Sequence, residues 1–247
     1  MEHFDTNCLS VSSILVNLIT ALYYTAIMGI LGNHNLEPFL EPIAIFNQFV
    51  AREPQTLIMK EKVLSVSSDS FEVKLASGQP LLKVHGAWVS ISGRKKVEDI
   101  HGKHLFDIVK EHLHLHTTYA IEDTHGKKIA EVKNSLACKL HLLGRDLYVS
   151  RPLIIPVLGS KATATFTDSQ GKAVTLKMKG GWFDHTADIV DEKSGKSVAR
   201  IDRKLLSGRD LIFGQQTYAV VVAPGVDAAL IAALCICFDE KNNESSS

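Results

Sequence analysis

The stretch TYAVVVAPGVDAALIAALCICF, Thr217 to Phe238, decides how the rest of the chain is read. Tyr218 to Ala223 is an unbroken apolar run, which is the pattern of a strand buried on both faces. Pro224-Gly225 stops it, and Asp227 stands where a helix N-cap belongs. From Ala228 to Phe238 no polar residue falls on any face. A helix apolar all round has to be enclosed by protein or lipid. Eleven residues reach only about 16 Å, too short for a bilayer core. The simplest solution is a helix held inside a sheet structure.

Upstream, the chain supplies the strands for such an enclosure. FEVKLASGQPLLKV (71–84), VEDIHGKHLFDIV (97–109), YAIEDTHGKKIAEV (119–132), ATFTDSQGKAVTLKM (164–178) and ADIVDEKSGKSVARI (187–201) repeat one design. Each centres on a glycine: Gly78, Gly102, Gly126, Gly171 and Gly195. In four of the five an Asp precedes the Gly by three or four residues and a Lys follows it. Asp opens a type I turn by accepting backbone N–H bonds, and Gly closes the hairpin in the left-handed conformation with a bulge. The wider interval between Gly126 and Gly171 holds ACKLHLLGRDLYVS, around Gly144-Arg145-Asp146, which reads as one more pair. The pattern predicts an antiparallel protein of ten or more strands, closed as a barrel or stacked as a sandwich to remove its edges. LEPFLEPIAIFNQFV, with two prolines, reads as an extended lead-in.

From Thr6 to Leu36 there is no Asp, Glu, Lys or Arg, and Ile14 to Leu31 is an apolar run just long enough to span a bilayer. Its flanks hold Glu2 and Asp5 and no base, unlike a secretory signal. The run reads as an anchor, as an apolar helix lying on the domain, or as a gene-model extension upstream of Met28. The organisation expected is an apolar segment 1–35, a barrel domain 36–240 and a disordered polar tail 241–247.

Twenty-seven bases balance 27 acids in 247 residues, which excludes a dedicated nucleic-acid binder. Four cysteines, Cys8, Cys138, Cys235 and Cys237, have neither disulfide-framework nor zinc spacing. Cys235 and Cys237 point to nearly opposite faces of a helix. Reduced thiols lead to the expectation of a cytoplasmic protein, with association to a membrane left open.

These turns, strands and closing helix resemble the LURP-one-related family, of the tubby C-terminal-like superfamily that also includes the phospholipid scramblases. The stretches that carry the likeness are LIMKEKVLSVSSDSFEVKLASGQPLLKV, KKVEDIHGKHLFDIVKEHLHLHTTYAIED and TYAVVVAPGVDAALIAALCICFDE, together spanning about residues 38 to 240. The closing VAPGVD with its apolar helix is the most specific of them. Leu113 to Tyr119 follows the family's L-S-L-H-x-T-W pattern with His114 for Ser and Tyr119 for Trp. The resemblance implies a mainly β fold: a closed antiparallel barrel of about twelve strands around that helix. It implies no catalysis and no cofactor, and it gives the N-terminal run no counterpart.

Four constellations remain. His112, His114 and His116 alternate with leucines and would share one strand face, a spacing known among metal ligands. No acid or Cys is placed to complete a site, so a solvated strand face is the plainer reading and no metal is expected. Ser194-Gly195-Lys196-Ser197 imitates the end of a phosphate loop, but its upstream Gly is replaced by Val190 and it is one of the hairpin turns. No nucleophile elbow or zinc-protease motif occurs, so no catalytic residue is named. Bases gather at Arg94-Lys95-Lys96 and Lys127-Lys128, at Lys172, Lys177 and Lys179, and at Arg200, Arg203, Lys204 and Arg209.

Tubby proteins hold phosphoinositide headgroups with basic surface groups. By that resemblance Arg94, Lys95, Lys96, Lys127 and Lys128 are candidate contacts for an anionic lipid. Against this, lysines at hairpin edges also deter strand pairing between molecules, and acids in the same turns dilute their field. The expectation is a non-enzymatic module binding an anionic membrane surface or a protein partner. The alternative is scramblase-like lipid handling anchored by the N-terminal run.

Overall fold

The four Asp-to-Gly turns fold as their residues dictate. In the Asp123–Lys127 turn the Gly126 N–H donates to the Asp123 carbonyl at 3.0 Å, and the Asp123 N–H donates to the Lys127 carbonyl at 2.9 Å. Asp123 Oδ1 accepts the N–H groups of His125 and Lys127, both at 2.9 Å. Gly126 takes φ +79°, the left-handed conformation that its lack of a Cβ makes cheap. Asp99 and Asp168 repeat this arrangement with their own turns. Register shifts beside the turns at Val73/Lys74, Val97/Glu98, Ile121/Glu122 and Ile189/Val190 are the bulges expected of such hairpins.

The structure, a computed structural model, describes residues 36–60, 71–86, 94–111, 118–136, 160–180, 186–202 and 217–244. Twelve strands form one ring. They are β1 (Gln55–Lys60), β2 (Phe71–Leu75), β3 (Pro80–Gly86), β4 (Lys95–Asp99), β5 (His104–Glu111) and β6 (Thr118–Glu122). Then come β7 (Lys128–Leu136), β8 (Ser160–Thr167), β9 (Ala173–Lys179), β10 (Thr186–Asp191), β11 (Ser197–Asp202) and β12 (Thr217–Val222). Each pairs antiparallel with its neighbours in sequence, and β1 closes on β12 with Leu57 opposite Val220. The choice between barrel and sandwich is thus settled for the barrel. β7 pairs directly with β8, from Ala130 opposite Phe166 to Leu136 opposite Ser160, so the ring closes without the extra pair expected around Gly144. That pair lies outside the described residues, as do the apolar run 1–35, the histidines at 112, 114 and 116, and the bases at 203, 204 and 209.

Alternation puts one side chain in two inside the ring. Leu57, Val73, Val84, Val97, Ile121, Val132, Ala164, Leu176, Ile201 and Val220 share the inner face, and none is more than 1% exposed. The helix α1 (Ala228–Glu244) fills the space they leave. From Ala228 to Phe238 no side chain exceeds 2% exposure. The small residues Ala228, Ala229, Ala232 and Ala233 allow the strands close approach, while Leu230, Ile231, Leu234 and Ile236 pack between inner-face side chains. A filled barrel holds no internal ligand. The helix runs to Glu244, six residues past the apolar stretch, so residues 241–244 of the expected disordered tail are helical. The sequence there, DEKNNE, is polar throughout. Among the described residues no helix is long and apolar enough to cross a membrane.

All five hairpin turns stand at one mouth of the barrel. The lead-in, residues 36–51, crosses that mouth as a strap. Phe39 N–H donates to the Pro224 carbonyl, Ile43 N–H to the Gly225 carbonyl and Ala51 N–H to the Val226 carbonyl, each at 2.9 Å. Phe46 of the strap stacks on Phe106 of β5 with ring centroids 5.0 Å apart.

Candidate functional site

With the interior filled, the chemistry available to a ligand lies outside. Pairing carries Lys96 to Asp107, Asp107 to Glu122 and Glu122 to Lys128, so these four residues form one row across β4 to β7. The far end of β4 thereby meets the turn end of β7, and two groups of bases distant in sequence become one patch. The same pairing fills that patch with acids. Arg94 donates from Nη1 to Asp107 at 2.6 Å and from Nη2 to Glu122 at 2.8 Å. Lys96 meets Glu98 at 2.7 Å, and Lys128 meets Glu111 at 2.5 Å and Glu131 at 3.4 Å. Lys96 holds the Glu98 carboxyl below its ordinary range, and Glu111 pushes the Lys128 ammonium up.

Lys95 lies on the inner-facing side of β4, opposite Gly86 and Ile108, and is buried. Lys127 is exposed on its turn and makes no ion pair among the described residues. Of the five sequence candidates, then, three are paired with carboxylates, one points inward and one stands in solvent.

A second region, whose Lys172 and Lys196 the sequence marked separately without joining them, lies at the strapped mouth. There a cleft of about 540 Å³ opens between the strap and the β8–β9 and β10–β11 turns. Phe39, Leu40 and Pro42 form its apolar wall, and Lys172, Lys193 and Lys196 its basic one. Lys172 meets Glu41 at 2.5 Å and Lys196 meets Glu37 at 2.7 Å, while Lys177 pairs with Glu192. Leu40 is 97% exposed. The signal for this region in the sequence was the lysine that follows four of the five turn glycines. What gathers those lysines is the up-and-down order of the strands.

Asp227 ties strap, turn and helix together. Its Oδ1 accepts the N–H groups of Ala229 at 2.9 Å and Leu230 at 3.0 Å, which is the N-cap that the sequence predicts. Its Oδ2 accepts Phe46 N–H at 2.7 Å and Ile45 N–H at 3.2 Å, fastening the strap. The side chain has no solvent exposure, and burial pushes its carboxyl up to about 6 against the pull of the four N–H donors. No cluster of His, Cys, Asp and Glu able to hold a metal occurs among the described residues.

A family model described as LURP-one-related matches residues 55–239. The chain belongs to the LURP-one-related family. Protein LURP1 of Arabidopsis thaliana is 22% identical over 199 residues, 80% of this chain and 89% of its own length. Protein LURP-one-related 15 of the same plant is 22% identical over 163 residues, 62% of this chain and 75% of its own. An X-ray structure of another Arabidopsis thaliana protein overlays with a TM-score of 0.48 and 15% identity, covering 81% of this chain and 99% of that one. The LURP-one-related match includes all twelve strands and the apolar part of the helix. The strap lies before it, although Asp227, inside it, is the residue that fastens the strap.

Proposed function

We propose that this LURP-one-related protein is a non-enzymatic binding module that takes an anionic ligand on the outside of the barrel, at the strapped mouth. One observation carries the reading. Four turns with lysine after glycine gather at one end of a barrel whose interior is already filled by its own helix. The turn aspartates are engaged by backbone N–H groups; Lys172 and Lys196 hold the strap glutamates, and Lys103 and Lys127 are exposed to solvent. Two ligand classes fit this chemistry, an acidic segment of a protein and an anionic membrane surface. The patch of Arg94, Lys96 and Lys128 favours the membrane less than its sequence suggests, because carboxylates of β4 to β7 balance it.

The test is retention of the full chain on immobilised polyglutamate and on vesicles containing phosphatidylserine, at low and at physiological salt. Retention that weakens as salt rises is expected, since exposed charges are screened. A chain retained by neither surface at low salt would remove the reading.

A further inference from the structure

The strap opens with LEPFLEPI, residues 36–43, in which Glu-Pro repeats after four residues. Its two glutamates sit on equivalent lysines. Glu37 meets Lys196, which follows Gly195 in the β10–β11 turn, and Glu41 meets Lys172, which follows Gly171 in the β8–β9 turn. These hairpins are neighbours on the rim, two strands apart, or about 10 Å at the usual strand spacing. Four extended residues cover about 13 Å. A glutamate every fourth residue therefore steps from one turn lysine to the next.

The strap takes one such step, from Lys196 to Lys172, and then leaves the row of turn lysines. The Ala44 carbonyl accepts the Ser169 N–H at 2.8 Å, the Ser169 hydroxyl donates to Asn47 at 2.7 Å, and Phe46 turns into the mouth onto Phe106.

The rim continues beyond that point with the β6–β7 and β4–β5 hairpins, whose turns read Asp-Thr-His-Gly-Lys and Asp-Ile-His-Gly-Lys. Lys127 and Lys103 occupy the places that Lys172 and Lys196 hold in the first two. Both are exposed, and neither makes an ion pair among the described residues. Asp123 and Asp99 are engaged by their turn N–H groups, as Asp168 is, and that arrangement leaves Lys172 able to hold Glu41. Ile100, beside Lys103, is 39% exposed and offers an apolar contact like those between the strap's glutamates.

The geometry points to Lys127 and Lys103 as a docking site for an acidic, extended segment of a partner protein with glutamates four residues apart. Such a segment would continue round the rim the course that the strap follows over Lys196 and Lys172. This inference rests on the anion-binding reading above and adds to it the ligand and the two lysines. A flat bilayer fits less well, because the exposed Glu37, Glu41 and Glu53 stand at the same mouth and would face its headgroups.

The experiment uses the full chain and a fluorescent synthetic peptide of residues 36–43, with binding read by anisotropy. The affinity is expected to fall about tenfold or more when both peptide glutamates become glutamine, and as much in the Lys103→Gln/Lys127→Gln protein. It should stay within about threefold in the Lys172→Gln/Lys196→Gln protein. No binding of the unaltered peptide overturns the inference. So does a loss confined to the Lys172/Lys196 pair, which would mean that the peptide only exchanges with the strap. A third contrary result is loss of phosphatidylserine-vesicle binding in the Lys103/Lys127 variant with peptide affinity intact, which would assign those lysines to a membrane. Retention on polyglutamate that ignores Lys103 and Lys127 sinks this inference alone, whereas retention by no anionic surface sinks the underlying reading as well. The glutamine peptide needs no altered protein, so the test does not depend on a variant's folding.

Discussion

Two glycines with the same backbone angle have different jobs. Gly126 takes φ +79° on a turn, and a Cβ built there meets nothing within 4 Å. Gly225 takes φ +84° beneath the strap, and its Cβ would lie 2.3 Å from the Phe39 carbonyl oxygen. Gly126→Ala is expected to cost about 1 kcal/mol, the left-handed strain alone. Gly225→Ala adds a backbone collision and should cost at least about 3 kcal/mol, with urea midpoints as the measurement. Equal losses would mean that the strap yields freely.

Asp227 is the other residue whose role rests on what crosses over it. Its carboxyl is raised from 3.8 to about 6, so its contribution to stability is complete below pH about 4 and is lost as pH rises through 6. In Asp227→Asn the amide nitrogen would face backbone N–H donors, so the variant is weaker throughout. The gap between parent and variant should be wider at pH 5 than at pH 7.5 by about 1–1.5 kcal/mol, read from urea titrations. The surface carboxylates Glu98, Glu131 and Asp123 are held below their ordinary ranges, so they act below this window. A constant gap would show that Asp227 stays ionised across it.

Among the elements, the helix is the one whose surroundings are most demanding. Leu234 has no exposure, and inner-face side chains surround it. Leu234→Ala should cost about 2–5 kcal/mol through the cavity left behind. Leu234→Asp places a carboxyl where no partner exists and should cost more, enough to unfold most of a protein whose total stability is about 5–15 kcal/mol. Thermal melts of the two variants would separate these outcomes. An aspartate variant melting within a few degrees of the parent would contradict the enclosed helix. The hairpins are the opposite kind of element, since each is specified by its own turn and tolerates change at its tip.

For the molecule as a whole, the strap is the part whose standing the family match leaves open and the contacts define. It buries Leu36, Ile43, Ala44 and Ala51 against the barrel mouth and supplies five backbone hydrogen bonds to residues 224–227. Removing residues 1–51 should therefore lower the melting temperature far more than removing residues 1–35. At about 4 °C per kcal/mol or less for a protein of this size, losing the buried strap should cost 10 °C or more on the order-of-magnitude scale of several apolar side chains. Melts of the two truncations that coincide would show the strap to be an accessory.

Local rules made much of this legible. The period-two runs, the Asp-to-Gly turns and the helix apolar on every face each follow from a few neighbouring residues, and together they leave an enclosed helix in a closed sheet as the consistent arrangement. What they could not supply is which residues meet across strands. Arg94, Lys96 and Lys128 read as a basic cluster because the carboxylates beside them, Asp107, Glu122, Glu98, Glu111 and Glu131, enter through pairing register and side-chain reach rather than through sequence neighbourhood. Asp227 read correctly as a cap, but its second oxygen binds a strap some 180 residues earlier in the chain. The lysine after four of the five turn glycines was visible as a repeat, yet only the up-and-down pairing of the strands puts the four on one rim, and only the fold lays the strap's glutamates across two of them. The sequence by itself determined the strands, the turns and the need to bury the helix, because those depend on local backbone preference and on hydrophobic periodicity. The tertiary structure decided the charge balance of the described surface and the shape of the mouth, because electrostatic partners are chosen by distance in space.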